Sequence, residues 1–175
     1  MALFVARNRR ARMLSRKPTL YLLCGLPGSG KTTLAKRLEQ EPPALRLTLD
    51  DWMVPLFGQA ICEPNTLERW NQAHDRVERL QWQVAERALT LGVDVVLDFG
   101  VWSREEREAY RRRANELGAR SELIFLDVPL GTLVERVRAR NENDEERVYP
   151  ITEANLQEWW EVFQRPTPDE MDPRE

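Results

Sequence analysis

Apolar and polar positions alternate along the chain between two spacings. Thr19-Leu20-Tyr21-Leu22-Leu23-Cys24 is an apolar run stopped by Gly25, the pattern of a strand buried on both faces. Residues 31–41 carry Leu34 and Leu38 four apart among helix formers and stop at Pro42-Pro43. Leu45 to Leu49 predicts a second strand, which ends at Asp50-Asp51. Asn65 and Glu68 have capping-box spacing. Behind them Leu67, Trp70, Val77, Leu80, Val84, Ala88 and Leu91 recur at helical spacing. They predict a long amphipathic helix, packed on the core through Trp70, Val77, Leu80 and Val84 and ended by Gly92.

The alternation continues to the end of the chain. Val93 to Asp98 predicts a third strand, with Asp94 at an edge or facing solvent. Ser103 and Glu106 open a helix that runs to Gly118, and Leu123 to Val128 predicts a fourth strand. A helix through Arg136 and Arg140 leads into a polar stretch, Asn141 to Arg147, that reads as a loop. Thr152 caps a last helix containing Leu156, Trp159, Trp160 and Phe163, ahead of a Pro-rich tail from Pro166. Strands that alternate with helices, and are apolar on both faces, predict one α/β domain built on a parallel sheet covered on both sides.

Composition narrows the chemistry. At 175 residues and 42% hydrophobic, the chain is long enough for one domain with a real core. Two cysteines, Cys24 and Cys62, make no disulfide framework, and one histidine makes a structural zinc site untenable. A Ser-His or Cys-His mechanism would have to run through His74 alone. The net charge of −3 is the balance of 26 basic and 29 acidic residues, so any basic surface is local. The first 17 residues hold Arg7, Arg9, Arg10, Arg12, Arg16 and Lys17 without an acid. They read as a mobile basic arm ahead of a domain spanning 18–175, with a specific binding element as the alternative. No apolar run approaches the ~18 residues of a spanning helix, so a soluble, cytoplasmic protein without a membrane partner is expected.

Gly25-Leu26-Pro27-Gly28-Ser29-Gly30-Lys31-Thr32 matches G-x-x-x-x-G-K-[ST], between a strand and a helix as a phosphate-binding loop requires. The glycines permit positive φ and let successive N–H groups face inward, and the helix start adds its unpaired N–H groups and positive dipole end. Gly28, Ser29, Gly30, Lys31, Thr32 and Thr33 are therefore candidates for binding MgATP. Lys31 would reach the β- and γ-phosphates, and the Thr32 hydroxyl would sit on Mg²⁺.

The sequence resembles small P-loop kinases, in the group of polynucleotide 5′-kinase, zeta-toxin-like kinases and chloramphenicol phosphotransferase, with gluconate-kinase-like enzymes nearby. The resemblance covers nearly everything after Lys17. It rests on GLPGSGKTTLAKRL, LTLDDWM, VVLDFGVWSREER, LDVPLGTLVERVRARN and RVYPIT, in that order. It implies the P-loop NTPase fold, four parallel strands in the order 2-3-1-4, and a lid over about residues 137–150. It also implies transfer of the γ-phosphoryl group of ATP to an acceptor bound between the long helix and the lid.

Asp50 ends the second strand, where ligands of open α/β sheets bind, and a hydroxyl acceptor needs a carboxylate to take its proton. Similar kinases place that base at the position of Asp50; Asp51 as base, or both as helix caps, are the alternatives. Asp98 ends the third strand and would hold an Mg²⁺ water near Thr32 or bind the acceptor; the alternative is an aspartate opening a turn. Arg136 and Arg140 share a helix face, and the resemblance makes them lid arginines that neutralise charge during transfer. Arg104 and Arg107 open the helix after Asp98, where related sequences carry an arginine that meets the acceptor or a phosphate. For all four arginines, ordinary pairing with nearby acids is the competing reading. Trp52, Met53 and Phe57 either shape the acceptor pocket or simply pack.

Three functions fit the sequence: a kinase for a small hydroxylated molecule, a kinase for the 5′-hydroxyl of a nucleic acid, and an ATP-binding regulatory module. The basic arm favours the second, and the acidic body lacks the broad cationic track that backbone binding needs.

Overall fold

The computed structural model describes residues 16–40, 43–58, 67–143 and 151–175. Residues 1–15 of the basic arm, Cys62, Asn65 of the expected capping pair, and residues 144–150 of the expected lid, with Arg147, lie outside them.

Strands β1 (Thr19–Cys24), β2 (Ala44–Thr48), β3 (Asp94–Gly100) and β4 (Arg120–Phe125) form a parallel sheet in the order β2-β3-β1-β4, the order the resemblance implies. Leu20, Leu22, Leu23, Val95, Val96 and Leu97 of the two central strands are buried, which is why those strands read as unbroken apolar runs. Helix α1 (Lys31–Leu38) covers one face, with Leu34, Ala35 and Leu38 packed around Leu23 and Val96. Two helices lie between β2 and β3: the short α2 (Asp50–Phe57) follows β2, and the long α3 (Leu67–Thr90) precedes β3. Helices α3 and α4 (Arg104–Glu116) pack on the other face through Trp82, Ala85, Leu89, Tyr110 and Ala114. Helices α5 (Leu130–Asn143) and α6 (Glu153–Val162) build a further cluster of Leu133, Val137 and Leu156 around Leu26. A short α7 (Pro168–Met171) ends the chain's helices. Among the described residues, no helix is long and apolar enough to cross a membrane.

Several local expectations need correction. The buried face of α3 is rotated from the expected stripe: Val77 and Ala88 turn inward, but Leu80 is 49% and Leu91 76% exposed, and Val84 also lies outward. The inward face carries Val77, Trp82, Ala85 and Leu89, and among them the buried Gln81, whose Nε2 donates to the Thr48 carbonyl at 2.9 Å. The fourth strand starts three residues earlier than its apolar pattern. It is an edge strand whose Arg120 and Glu122 are only half buried, and these break the apolar signal.

Asp94, expected at an edge or in solvent, is buried at the start of a central strand. It accepts the Thr19 N–H at 2.8 Å, and Arg16, near the end of the basic arm, also pairs with it. Asn141 to Asn143 continue α5 rather than opening a loop. The Pro-rich tail is docked: Thr167 and Glu170 form a capping box, and Arg174 and Ser121 exchange two backbone hydrogen bonds along β4.

Candidate active site

All strands point the same way, so Gly25, Leu49 and Gly100 emerge along one rim of the sheet. The phosphate-loop segment starts there, its first N–H (Gly25) bonded to Gly100 O at 3.2 Å. The Ser29 N–H closes a turn on Leu26 O at 3.1 Å. Gly28 has φ of 83°, and a Cβ on it would lie 3.1 Å from Val137 Cγ2 and 3.3 Å from the Leu133 carbonyl. Helix α5 packs closely on the loop here, and together with the positive φ this favours glycine.

Gly30, at φ of 101°, is the N-cap of α1 and offers no side-chain acceptor, and no acid stands in the first turn. The N–H groups of Lys31, Thr32 and Thr33 therefore meet the positive end of the helix dipole without a capping side chain. Ser29 Oγ is buried and has no hydrogen-bond partner among the described residues. A buried hydroxyl in that state fits a site completed by a ligand.

Five charged groups, Lys31, Asp50, Asp98, Arg136 and Arg140, converge on this cradle. Lys31 Nζ donates to Leu26 O at 3.0 Å across the loop. Burial pushes the Lys31 pKa down, the charges of Asp98 and Asp50 oppose the shift, and Arg140 adds to it. Thr32 Oγ1 donates to Asp98 Oδ2 at 2.8 Å, and Thr48 Oγ1 donates to the same oxygen at 3.3 Å. Burial raises the pKa of Asp98, against the Thr32 hydrogen bond and the Lys31 charge. Arg136 Nη1 donates to the Gly28 carbonyl at 3.2 Å, while Arg138 turns away to Glu153 at 3.5 Å.

The two neighbouring aspartates separate. Asp51 accepts from Arg46 Nη1 at 2.7 Å, on the side where Arg46 also meets Glu39. Asp50, the first residue of α2, is the one whose charge acts on both Lys31 and Asp98. Trp52, Met53, Trp70, Val77 and Phe99 make an apolar wall between α2 and α3; Met53 is fully buried in it, and Phe57 is exposed.

Arg104 and Arg107 stand apart from this group. Arg107 is fully buried, and its guanidinium grips Glu170 at 2.7 and 3.0 Å and the carbonyls of Val101, Trp102 and Gln164. Arg104 bonds Thr167 at 3.0 Å and Asp169 at 2.6 Å. Both expected acceptor-binding arginines are committed to the C-terminal segment, which was too distant in sequence to be recognised as their partner. Thr48 and Gln81 were missed as supports of Asp98. Thr48 is marked only by its place two residues before Asp50, and Gln81 by nothing that separates it from its exposed neighbours on α3.

Comparison with known proteins matches this frame. Residues 20–166 match the AAA domain family AAA_33. The bifunctional enzyme NodQ of Rhizobium tropici is 33% identical over 139 residues, which cover 77% of this chain and 21% of that protein. A chain of the Pnkp1/Rnl/Hen1 RNA repair complex superposes with a TM-score of 0.67 at 22% identity, over 90% of this chain and 48% of its own. A gluconokinase from Sinorhizobium meliloti 1021 superposes with a TM-score of 0.57 at 18% identity, over 88% and 79%. The chain thus spans about a fifth of the curated relative and about half of the RNA repair chain. It belongs to the AAA domain family and has the fold of the small P-loop kinases of the polynucleotide-kinase-like group.

Proposed function

We propose that the protein is an ATP-dependent kinase that transfers the γ-phosphoryl group to a hydroxyl of a small molecule. The observation that carries this reading is the meeting of an uncapped glycine loop, Lys31, the Thr32–Asp98 pair and the Asp50 charge at one rim of the sheet.

The loop N–H groups and Lys31 bind the β- and γ-phosphates. Thr32 and Asp98 are hard oxygen donors already side by side, and they fit Mg²⁺. Among the described residues no cluster of three ligating side chains exists, so phosphate oxygens and water would complete such a shell. Bound there, Mg²⁺ supplies charge neutralisation at the phosphates. Asp50 orients the acceptor hydroxyl and takes its proton as the new oxygen–phosphorus bond forms and the bond to the ADP oxygen breaks. Arg136 and Arg140 balance the charge on the transferring group.

The test is transfer from γ-labelled ATP to pooled metabolites, antibiotics and 5′-hydroxyl oligonucleotides, with Asp50→Asn alongside. Labelled small molecule from the unmodified chain and none from the variant supports the reading. Tight ATP binding with no labelled product in any pool overturns it in favour of a regulatory module. A nucleic-acid 5′-hydroxyl is the second acceptor, favoured by six basic residues and no acid within the first 17. Binding to it would weaken steeply with salt, which a small neutral acceptor would not show.

A further inference from the structure

We propose that the C-terminal segment, residues 164–175, is a strap that sets the position of the phosphate loop, with Glu170 and Arg107 as its positioning residues. The inference rests on the reading of residues 25–33 as a nucleotide cradle and adds the part of the chain that holds it.

The motive is a strained residue. Val101 is the only non-glycine with positive φ among the described residues, at 35°, and it is β-branched and buried. Such a conformation persists only where its surroundings over-determine it, and strain of this kind collects at functional sites. The Val101 carbonyl accepts from Arg107 Nη1 at 3.3 Å and faces the Cys24 thiol at 3.5 Å. The next carbonyl, of Trp102, accepts from Arg107 at 3.0 Å and from the Gln164 N–H at 3.1 Å. Arg107 therefore holds both peptide units, and residue 164 of the strap holds the second of them and is itself bonded to Arg107.

Arg107 is itself held by the strap. Its Nε and Nη2 fork onto the two oxygens of Glu170, both side chains being withdrawn from solvent. Arg111 fixes the strap from below through the carbonyls of Glu170 and Asp172. A buried ion pair of this kind adds little net stability over apolar residues of the same volume, so its use here is specification of one geometry. Exposed contacts such as Arg174 with Glu108, at 2.7 Å, attach the same segment and contribute little.

The clamp reaches the loop through one residue. Gly100 precedes Val101, has φ of 96°, and its carbonyl takes the Gly25 N–H, the first of the phosphate loop. A Cβ on Gly100 would lie 2.9 Å from Trp102 Nε1 and 3.4 Å from the Gly25 carbonyl, so Gly100 is packed between the clamped units and the loop. Two residues upstream stands Asp98, partner of Thr32. Releasing Glu170 therefore frees Arg107, lets Val101 relax, and shifts Gly100, Gly25 and Asp98 together.

The test uses the full chain with Cys62→Ser, which leaves Cys24 as the one thiol. Dissociation constants for MgATP and the rate of Cys24 modification by a disulfide reagent are measured for Glu170→Gln, Arg107→Lys and the control Glu108→Gln. Circular dichroism and urea midpoints establish that each variant is folded under the assay conditions. Both positioning variants are expected to bind MgATP about tenfold more weakly and to expose Cys24 faster, while the control matches the parent. Arg107→Lys keeps the charge pair and loses the fork, so it carries the test if Glu170→Gln does not fold. Folded variants with affinity and labelling rate unchanged, or a control that loses as much, would overturn the strap. A parent chain that binds no MgATP would instead remove the nucleotide site on which the strap acts, and the strap with it.

Discussion

Arg46 Nη1 lies 2.7 Å from Asp51 Oδ2, and this bond sets Asp51 apart from its neighbour Asp50. With Asp51 tied to Arg46, the charge that acts on Lys31 and Asp98 is that of Asp50. Asp50→Asn is expected to lower the transfer rate by about 10²- to 10⁴-fold with MgATP affinity intact. Asp51→Asn should leave the transfer rate within about twofold, since only a surface pair is lost. Steady-state transfer assays beside equilibrium nucleotide binding separate the two.

Lys31→Met removes the one ammonium placed across the loop. Loss of a charge-assisted hydrogen bond of about 1.5–3 kcal/mol predicts ATP binding weaker by roughly 10- to 150-fold. Asp98→Asn should act differently, raising the Mg²⁺ concentration needed for half-maximal activity while affinity for metal-free nucleotide stays nearly constant. Titration calorimetry with and without Mg²⁺ checks both.

Acid stability should depend on Glu170. Burial alone would raise its pKa, but hydrogen bonds from Arg107 and the Thr167 N–H outweigh burial and hold it at about 2, below the ordinary 4.5. A depressed carboxylate contributes stability above its unfolded pKa and loses it as pH falls through the folded value. That contribution, on the order of 3 kcal/mol at its ceiling, is complete near neutrality and vanishes between about pH 5 and 2. In urea titrations the advantage of the parent over Glu170→Gln should shrink across that window.

The rotated face of α3 makes a fourth prediction. Leu80→Ser and Leu91→Ser should each change unfolding free energy by no more than about 0.5 kcal/mol, because both side chains already face water. Leu89→Ala, one residue from exposed Thr90, should cost about 2–5 kcal/mol by opening the core beside Tyr110.

The central strands and the glycine loop were legible because each is written locally. A strand buried on both faces must be apolar throughout, and a cradle of N–H groups must be glycine-rich. The side of α3 was not legible, since large apolar residues at helical spacing mark a band wider than the face that packs. The face that packs also carries a polar residue, Gln81, whose partner is a strand it follows by more than 30 residues. Arg107 misled for the same reason. Its neighbours in sequence suggested an anion-binding helix start, and its partner Glu170 lies 63 residues away.

Lys17 Nζ and Glu175 Oε2 stand 3.7 Å apart, so the segment that leads into β1 and the segment that follows α7 lie side by side at the surface. A module shaped this way can be spliced into a loop of a host protein without stretching it. A short link between residues 17 and 175, with the chain reopened at the exposed turn around Gly118, would leave the strand order of the sheet as it is.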